Sequence, residues 1–167
     1  ALARAQEACC REMIAAAFEP TADLDHLEQA YFAMFASEWR RQRGEVPLGR
    51  IAIVDDGPAA QYLYPEFQLF ERMFNRFGVT AVVADARELD WKGNRLWHGG
   101  EPVDLVYNRL TDFYLQEPAH AALRAAYEAK AVVVTPHPRA HALYADKRNL
   151  VTLSDDNALA ALGADPE

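Results

Sequence analysis

The sequence predicts an α/β domain in which helices cover both faces of a small, mostly parallel β-sheet, a doubly wound or Rossmann-like arrangement. Two observations lead to this prediction. Between residues 51 and 135, short apolar runs rich in β-branched residues alternate with segments whose apolar residues recur at helical spacing. Gly, Pro and Asp turns separate them, so the predicted order is strand, helix, strand, hairpin, strand, helix, strand.

Two helices are predicted ahead of the first strand, as an N-terminal helical segment over residues 1–46. The first covers residues 1–18 and ends at Pro20. The second carries an apolar face and ends near Gly44. This face comprises Leu24, Leu27, Tyr31, Met34, Phe35 and Trp39. The α/β domain follows over residues 47–163, and we expect the helices to pack on its sheet or on a neighbouring domain.

The first βαβ unit covers residues 51–84. Its first strand, residues 51–54, ends in the turn Asp55-Asp56-Gly57-Pro58. A helix is predicted to begin at Pro65 and to end at Gly78, before a strand over residues 79–84. The aromatic stripe of this helix, predicted to be core, is Phe67, Phe70, Phe74 and Phe77.

The second half repeats this alternation after a hairpin over residues 89–97 that turns at Gly93-Asn94. Strands are predicted over residues 103–107 and 131–135, with a helix over residues 118–129 between them. A further helix begins near Ala140. The last helical stretch, residues 155–162, is predicted to be capped by Ser154.

Charge and composition restrict the partners of the protein. The formal net charge of −8 argues against nucleic acid or an anionic membrane as the main partner. There is no long uncharged apolar run and no signal-peptide pattern, so we expect a cytoplasmic protein. The two cysteines, Cys9 and Cys10, are interpreted as small apolar residues. Because the chain begins with Ala and stops just after a helical pattern, we expect it to be a piece of a longer protein.

Several kinds of site have no support in the sequence. It contains no G-x-G-x-x-G after the first strand, no P-loop and no G-x-S-x-G nucleophile motif. His137 and His141 have the spacing of zinc ligands on a helix, but Pro138 between them and the missing glutamate disfavour zinc. We predict no metal site, and the sequence identifies no catalytic residue.

Cations and amides at strand ends are the remaining candidates. Asn108 and Arg109 directly follow the strand at residues 103–107, and an arginine fork suits a carboxylate or phosphate. The alternative for Arg109 is an ion pair with Asp112 or another local acid. Lys147 follows the strand at residues 131–135 and suits phosphate oxygens, and its alternative is a solvated turn. Since ligands bind at the carboxyl ends of parallel strands, we interpret the two strand ends as walls of one site.

Two stretches, VDLVYNRLTDFY (residues 103–114) and AKAVVVTPHPRAHALYADKRN (residues 129–149), carry a family resemblance. With the order of elements around them, they make residues 50–163 similar to the substrate domain that precedes the ATP-binding part of circularly permuted ATP-grasp ligases. This group includes eukaryotic-type glutathione synthetase and glutathionylspermidine-synthase-like proteins. Glutathione synthetases carry Gly-Tyr after the arginine, where this chain has Thr111-Asp112, so the resemblance does not extend to thiol-peptide specificity.

The resemblance implies the substrate-binding domain of an ATP-dependent carboxylate-amine ligase. Arg109 would hold the carboxylate of a small or peptide-like substrate, and Lys147 would reach toward ATP phosphates. A following ATP-grasp domain of the same parent chain would bind most of the ATP and Mg²⁺, so the chain alone would bind neither cofactor and would be catalytically incomplete. The other residues implied to line the cleft are Tyr107, Asn108, Thr111 and, from the loop 55–61, Asp56 and Gln61.

A second class of function stays open. The chain could be a non-catalytic small-molecule-binding or interaction domain of the same fold. A nucleotide-sugar or glycosyl-transferring half-domain shares the fold class, but no residue of the sequence supports it.

Overall fold

A computed structural model of the chain describes residues 24–164, without the side chains at positions 24, 25 and 142. This part of the chain contains six α-helices: α1 Leu24–Arg43, α2 Tyr64–Arg76, α3 Ala121–Glu128, α4 Pro138–Tyr144, α5 Asn149–Leu153 and α6 Asp156–Ala161. It also contains seven strands: β1 Arg50–Asp55, β2 Thr80–Asp85, β3 Leu89–Lys92, β4 Arg95–His98, β5 Glu101–Val103, β6 Leu105–Asn108 and β7 Val133–Thr135. None of these helices is long and apolar enough to cross a bilayer.

The central sheet has four parallel strands in the order β2-β1-β6-β7. Helix α2 connects β1 to β2, and helix α3 connects β6 to β7. Because each crossover joins two parallel strands, the sheet's carboxyl ends all lie along one edge. The predicted α/β class is confirmed.

Side chains alternate along the strands into two apolar cores, one on each face of the sheet. One face packs against α1 and α2 through Ile51, Ile53, Leu105, Tyr107 and Val133. The other packs against α3 and the hairpin through Ala52, Val54, Ala84, Val106 and Val134. Helices on both faces make the fold doubly wound, as predicted.

The predicted aromatic stripe of α2 belongs to the first of these cores. Phe67 and Phe74 are buried, and Phe70 and Phe77 are partly buried against them. The ring of Phe74 meets Phe35 of α1 edge to face at 5.0 Å between centroids. Helices α1 and α2 therefore share one aromatic layer on the sheet.

The predicted face of α1 is only partly used. Phe35 and Trp39 are buried, whereas Leu27, Tyr31 and Met34 are 40–52% exposed. Helix α1 ends at Arg43 and Gly44 as expected, and Gly44 has a positive φ of 65°. The predicted first helix over residues 1–18 lies outside the described residues.

A three-stranded antiparallel sheet, β3-β4-β5, forms the predicted hairpin and one strand more. Gly93 and Asn94 both have left-handed φ values, 60° and 55°, as a tight two-residue hairpin turn requires. The strand predicted over residues 103–107 is split. Val103 belongs to β5, and β6 begins only at Leu105.

Asp104 causes this split. Its carboxylate Oδ2 accepts the backbone N–H groups of Gly49 and Arg50, each at 3.0 Å. Its backbone N–H donates to Arg50 O, and its carbonyl accepts from Val133 N–H. The chain therefore bends at Asp104 while staying bonded to the parallel sheet on both sides.

The C-terminal helices differ from prediction in their caps. Ser154 closes α5 at its C-terminal end, so its prediction as an N-cap is wrong. Asp155 caps α6 instead, because its carboxylate accepts the N–H groups of Asn157 and Ala158. The Asp155 carboxylate reaches these donors, and its negative charge is stabilised by the positive N-terminal end of the helix dipole.

Candidate functional site

The carboxyl edge of the parallel sheet gathers charged and amide side chains from three strands. Strand β1 ends in Asp55 and leads into Asp56, β2 ends in Asp85, and β6 ends in Asn108 and leads into Arg109. The Arg109 backbone N–H donates to Val54 O at 2.9 Å, which extends the ladder between β1 and β6 by one residue. This bond fixes Arg109 just beyond the end of the sheet.

The guanidinium of Arg109 lies on an aromatic surface on the α2 side of this edge. Its carbon is 5.5 Å from the Phe67 ring and 5.4 Å from the Tyr107 ring. Nη1 donates to the Tyr107 hydroxyl at 3.0 Å, while Glu66 Oε1 approaches Nη2 only to 3.7 Å. The Arg109 side chain is 25% exposed. Within residues 24–164 its remaining N–H groups have no close acceptor, so they are available to a bound anion.

Asn108 carries a buried donor on the other side of the edge. Strand alternation directs it to the face opposite Tyr107, and the residue is 4% exposed. Its Oδ1 accepts the Leu110 N–H at 3.1 Å, which assigns the amide orientation. Nδ2 is buried and meets no acceptor among the described residues. An unsatisfied buried N–H group costs about 1–3 kcal/mol, so this amide is suited to a ligand oxygen or a water.

A buried histidine joins two aspartates on the α3 side. His120 closes a 3₁₀ turn, Pro118–His120, at the start of α3, and its side chain is 0% exposed. Nδ1 lies 2.8 Å from Asp112 Oδ2, and Nε2 lies 2.9 Å from Asp56 Oδ1. Asp112 Oδ2 also accepts the Glu117 N–H at 2.9 Å.

The charge state of this cluster follows from its geometry. Carboxylate oxygens only accept, so both contacts are hydrogen bonds only when both ring nitrogens carry protons. Burial by itself lowers the pKa of His120, but the hydrogen bonds to Asp56 and Asp112 outweigh it and raise that pKa above its ordinary value. Burial opposes ionisation of Asp112 as well, yet the Glu117 N–H and His120 hold its pKa below the usual range. Both contacts are satisfied together when His120 is an imidazolium between two carboxylates.

Asp55 and Asp85 are register partners on β1 and β2 with opposite pKa shifts. The pKa of Asp85 lies far below its usual range, mainly because the Arg87 side chain donates to its carboxylate. The backbone N–H groups of Arg87 and Gly57 also donate to it and make smaller contributions. Burial raises the pKa of Asp55, and the nearby charges of Asp56 and Asp85 add to this effect. The positive charge of Arg109 lowers the pKa of Asp55, so the two side chains lie near each other at this part of the edge.

The structure also places the remaining predicted residues. Gln61 lies beside Asp56, because its Nε2 donates to the Asp56 carbonyl at 2.8 Å. Thr111 is exposed in the loop after β6. Lys147 is exposed between α4 and α5, and no hydrogen bond or ion pair of the described residues joins it to Arg109. The neighbouring Arg148 pairs with Asp146.

The sequence interpretation missed three participants. Asp112, the predicted alternative partner of Arg109, binds His120 instead, and the acid nearest Arg109 is Glu66. His120 had no signal, because its partners lie 8 and 64 residues before it and no periodic pattern joins them. Glu66 was not predicted because an acidic residue in the first turn of an amphipathic helix such as α2 is common and indicates no site by itself.

Two further features lie apart from this edge. A cavity of about 230 Å³ opens at the amino end of β1 and β2, lined in part by Phe32, Trp39, Leu48 and Val79. Residues 24–164 contain no group of three or more His, Cys, Asp or Glu side chains arranged to hold a metal ion. His137 and His141 instead contact Tyr127 and Phe113, respectively.

Comparison with known proteins adds no family assignment: no protein-family model matches the chain, and no curated protein matches its sequence.

Proposed function

We propose that this chain is the substrate-binding domain of a cytoplasmic, ATP-dependent carboxylate-amine ligase of the ATP-grasp type, in which Arg109 binds the substrate carboxylate. The observation that supports it is the position of the Arg109 guanidinium. It lies at the carboxyl edge of a parallel sheet, on the rings of Phe67 and Tyr107, with its nearest acid 3.7 Å away. A cation held in place but incompletely paired is suited to a bidentate carboxylate.

The neighbouring groups fit the same ligand. Asn108 Nδ2, buried on the opposite side of the edge without an acceptor among the described residues, would donate to a second substrate oxygen that enters there. Asp56, Gln61, Tyr107 and Thr111 complete the proposed substrate-binding set, with Tyr107 acting through its bond to Arg109.

ATP and Mg²⁺ belong to a following domain in this proposal. That domain would convert the bound carboxylate to an acyl phosphate, which an amine then attacks. Lys147 is the proposed contribution of this chain to the phosphates, since an exposed ammonium group can approach them as a point charge.

The binding step can be tested on the chain itself. Titration with succinate, followed by calorimetry, should show saturable binding that Arg109→Ala weakens by about tenfold or more, as expected for a lost charge-assisted pair. Arg109→Ala should change the melting temperature little. The matched control is Arg76→Ala, which removes an arginine at the C-terminal end of α2 that pairs with Glu28 of α1. Equal affinity in the wild type and Arg109→Ala, or binding in neither, would contradict the proposal.

The ligase step is tested on a polypeptide that joins this chain to the proposed ATP-binding domain. With MgATP, a bound carboxylate and hydroxylamine, an acyl phosphate would be trapped as a hydroxamate. Carboxylate binding without any hydroxamate or ADP would support a second candidate, a non-catalytic small-molecule-binding domain of the same fold. The polar contacts of Arg109 favour this candidate, because they are made with Tyr107 and Glu66 and not with Lys147.

A further inference from the structure

His120 connects two loops that are distant in sequence and adjacent at the candidate site. Its Nε2 contacts Asp56, which begins the loop after β1, and its Nδ1 contacts Asp112 in the loop after β6. Each aspartate organises its own loop further. The Asp56 carbonyl accepts from Gln61, and the Asp112 carboxylate accepts the Glu117 N–H.

The protonation of the ring decides whether both contacts hold. A neutral imidazole keeps one N–H, so its other nitrogen would present a lone pair to a carboxylate at less than 3 Å. The ring is fully buried, whereas the Asp56 side chain is 49% exposed, so the repulsive contact would be relieved by movement of Asp56 or of its loop. Deprotonation therefore removes one of the two connections between the loops.

We propose that His120 is a positioning residue that clamps these two loops together, and that the carboxylate site loses affinity when the ring gives up its second proton. The inference rests on the proposed function, because it concerns the same site. The bond to Val54 O holds the backbone N–H of Arg109, so loss of the Asp112 contact would act on the loop that follows Arg109, which Asp112 fixes three residues further on. The mechanism requires no contact between His120 and the ligand.

Other titratable groups surround the cluster, and their pH effects must be distinguished from that of His120. Asp56 and Asp112 face the ring directly, with Asp55 next to Asp56. Arg87 lies within electrostatic reach of Asp56, and Arg124 within reach of Asp112. Glu88 on the turn packed against residues 118–120, and Glu117 beside it, complete the charged set. Arginines stay charged at all relevant pH values, so the competing sources of a pH effect are the carboxyl groups, and among them the pKa of Asp55 is raised by burial.

The direction of the pH effect follows from the shifts. The raised pKa of His120 keeps the clamp closed below it, and the clamp opens as pH rises through it. The lowered pKa of Asp112 preserves the carboxylate partner at the acidic end. Affinity should therefore be highest at mildly acidic pH and should fall as pH rises through the pKa of His120.

The test follows the loops and the ligand separately. In the wild type without ligand, the His120 ring nitrogens and the backbone amides of Asp56, Gln61, Asp112 and Glu117 should titrate in NMR spectra with one common midpoint. Succinate affinity, measured between about pH 6 and 9, should fall by about fivefold through that midpoint, as expected for one lost hydrogen bond. His120→Gln should bind weakly at every pH with no such dependence. His98→Gln is the matched control, since His98 also faces a carboxylate, Glu88, but joins no loop of the site.

Each outcome bears on one proposal. Retention of the same pH dependence in His120→Gln would assign it to another titratable group of the edge and overturn the clamp. Loop amides whose signals do not change with the titration of the ring would also overturn it. If His120→Gln does not fold, Asp112→Asn keeps the side-chain shape and should move the shared midpoint to lower pH, and an unchanged midpoint would overturn the clamp. Loop amides that follow the ring in a protein that binds no carboxylate would support the clamp while the proposed function fails.

Discussion

The two sides of the sheet's carboxyl edge use charge in opposite ways. On the α3 side, both nitrogens of His120 meet aspartate oxygens at 2.8 and 2.9 Å in a fully buried position. On the α2 side, Arg109 is held by one hydroxyl and two rings, with its nearest carboxylate at 3.7 Å. The closed cluster uses both ring nitrogens of His120, whereas the open one leaves N–H groups of Arg109 without a close acceptor among residues 24–164. The comparison separates a fully paired charge from an incompletely paired one within a single edge.

The largest effect should come from removing the centre of the closed side. His120→Ala deletes two charge-assisted hydrogen bonds and leaves Asp112, whose side chain is 14% exposed, without its counter-charge. We expect the free energy of unfolding to fall by about 3 kcal/mol in urea denaturation. His98→Ala, the control, should cost less than about 1 kcal/mol. A loss no greater than that of the control would show that the His120 cluster does not stabilise the fold.

The register partners Asp85 and Asp55 should respond oppositely to the same change. Asp85→Asn should lower the free energy of unfolding by about 1–2 kcal/mol at pH 7, because Asp85 accepts from Arg87 and Gly57 as a carboxylate. Its lowered pKa means that this stabilisation is present above the unfolded-state pKa and is lost as pH falls through the folded-state pKa.

Asp55→Asn should instead raise the free energy of unfolding at pH 7. The pKa of Asp55 is raised, so its favourable contribution exists at low pH and is lost as pH rises through the folded-state value. The gain over the wild type should disappear in acid. Urea denaturation of both variants from pH 3 to 8 checks the pair, and changes of the same sign at pH 7 would contradict the assigned shifts.

A smaller effect is expected from removing the Tyr107 hydroxyl, which holds Arg109 on the open side. Tyr107→Phe removes the hydroxyl that accepts from Arg109 but keeps the ring, which packs edge to face on Phe35 and Phe70. Succinate affinity should fall by about fivefold, equivalent to about 1 kcal/mol. Tyr127→Phe, which removes a hydroxyl beside His137, should leave affinity unchanged. If both variants bind like the wild type, the hydroxyl does not aim the guanidinium.

The smallest effect should come from removing the charge of Glu66, the acid that would compete with a ligand for Arg109. Glu66→Gln removes a carboxylate that is 31% exposed and 3.7 Å from Arg109, so carboxylate affinity should rise by about twofold with little change in stability. Glu71→Gln on the same helix is the control. A loss of affinity in Glu66→Gln would mean that the acid orients Arg109 rather than competing for it.

The fold was predictable because its determinants are local and repeated. Apolar runs that alternate with helical segments predicted the strands, and the phenylalanines of α2 predicted a face of the core. The pair Gly93-Asn94 predicted the hairpin turn. The split at Asp104 was not predictable, since it depends on a carboxylate that bonds to backbone 54 and 55 residues earlier. Ser154 failed as a cap because the next residue, Asp155, offers a better acceptor to the same helix start.

The site was predictable only where it follows directly from a strand end. Asn108 and Arg109 lie where parallel strands finish, and the sequence shows them there. Glu66 and the Asp56–His120–Asp112 cluster arise from loops and helix starts brought together by the tertiary fold. Such contacts have no fixed sequence spacing, so residue types alone do not distinguish His120 from an ordinary core histidine.

Asp104 has a consequence for how the molecule opens. One residue ends the small antiparallel sheet and also supplies three groups that bond to the parallel sheet, and a Cβ at Gly49 would come within 2.9 Å of its carboxylate. The hairpin of β3, β4 and β5 therefore cannot detach at that point without breaking bonds of the central ladder. Its amide protons should exchange with solvent at the rate of the core, as parts of a single cooperative unit rather than of a loosely attached flap.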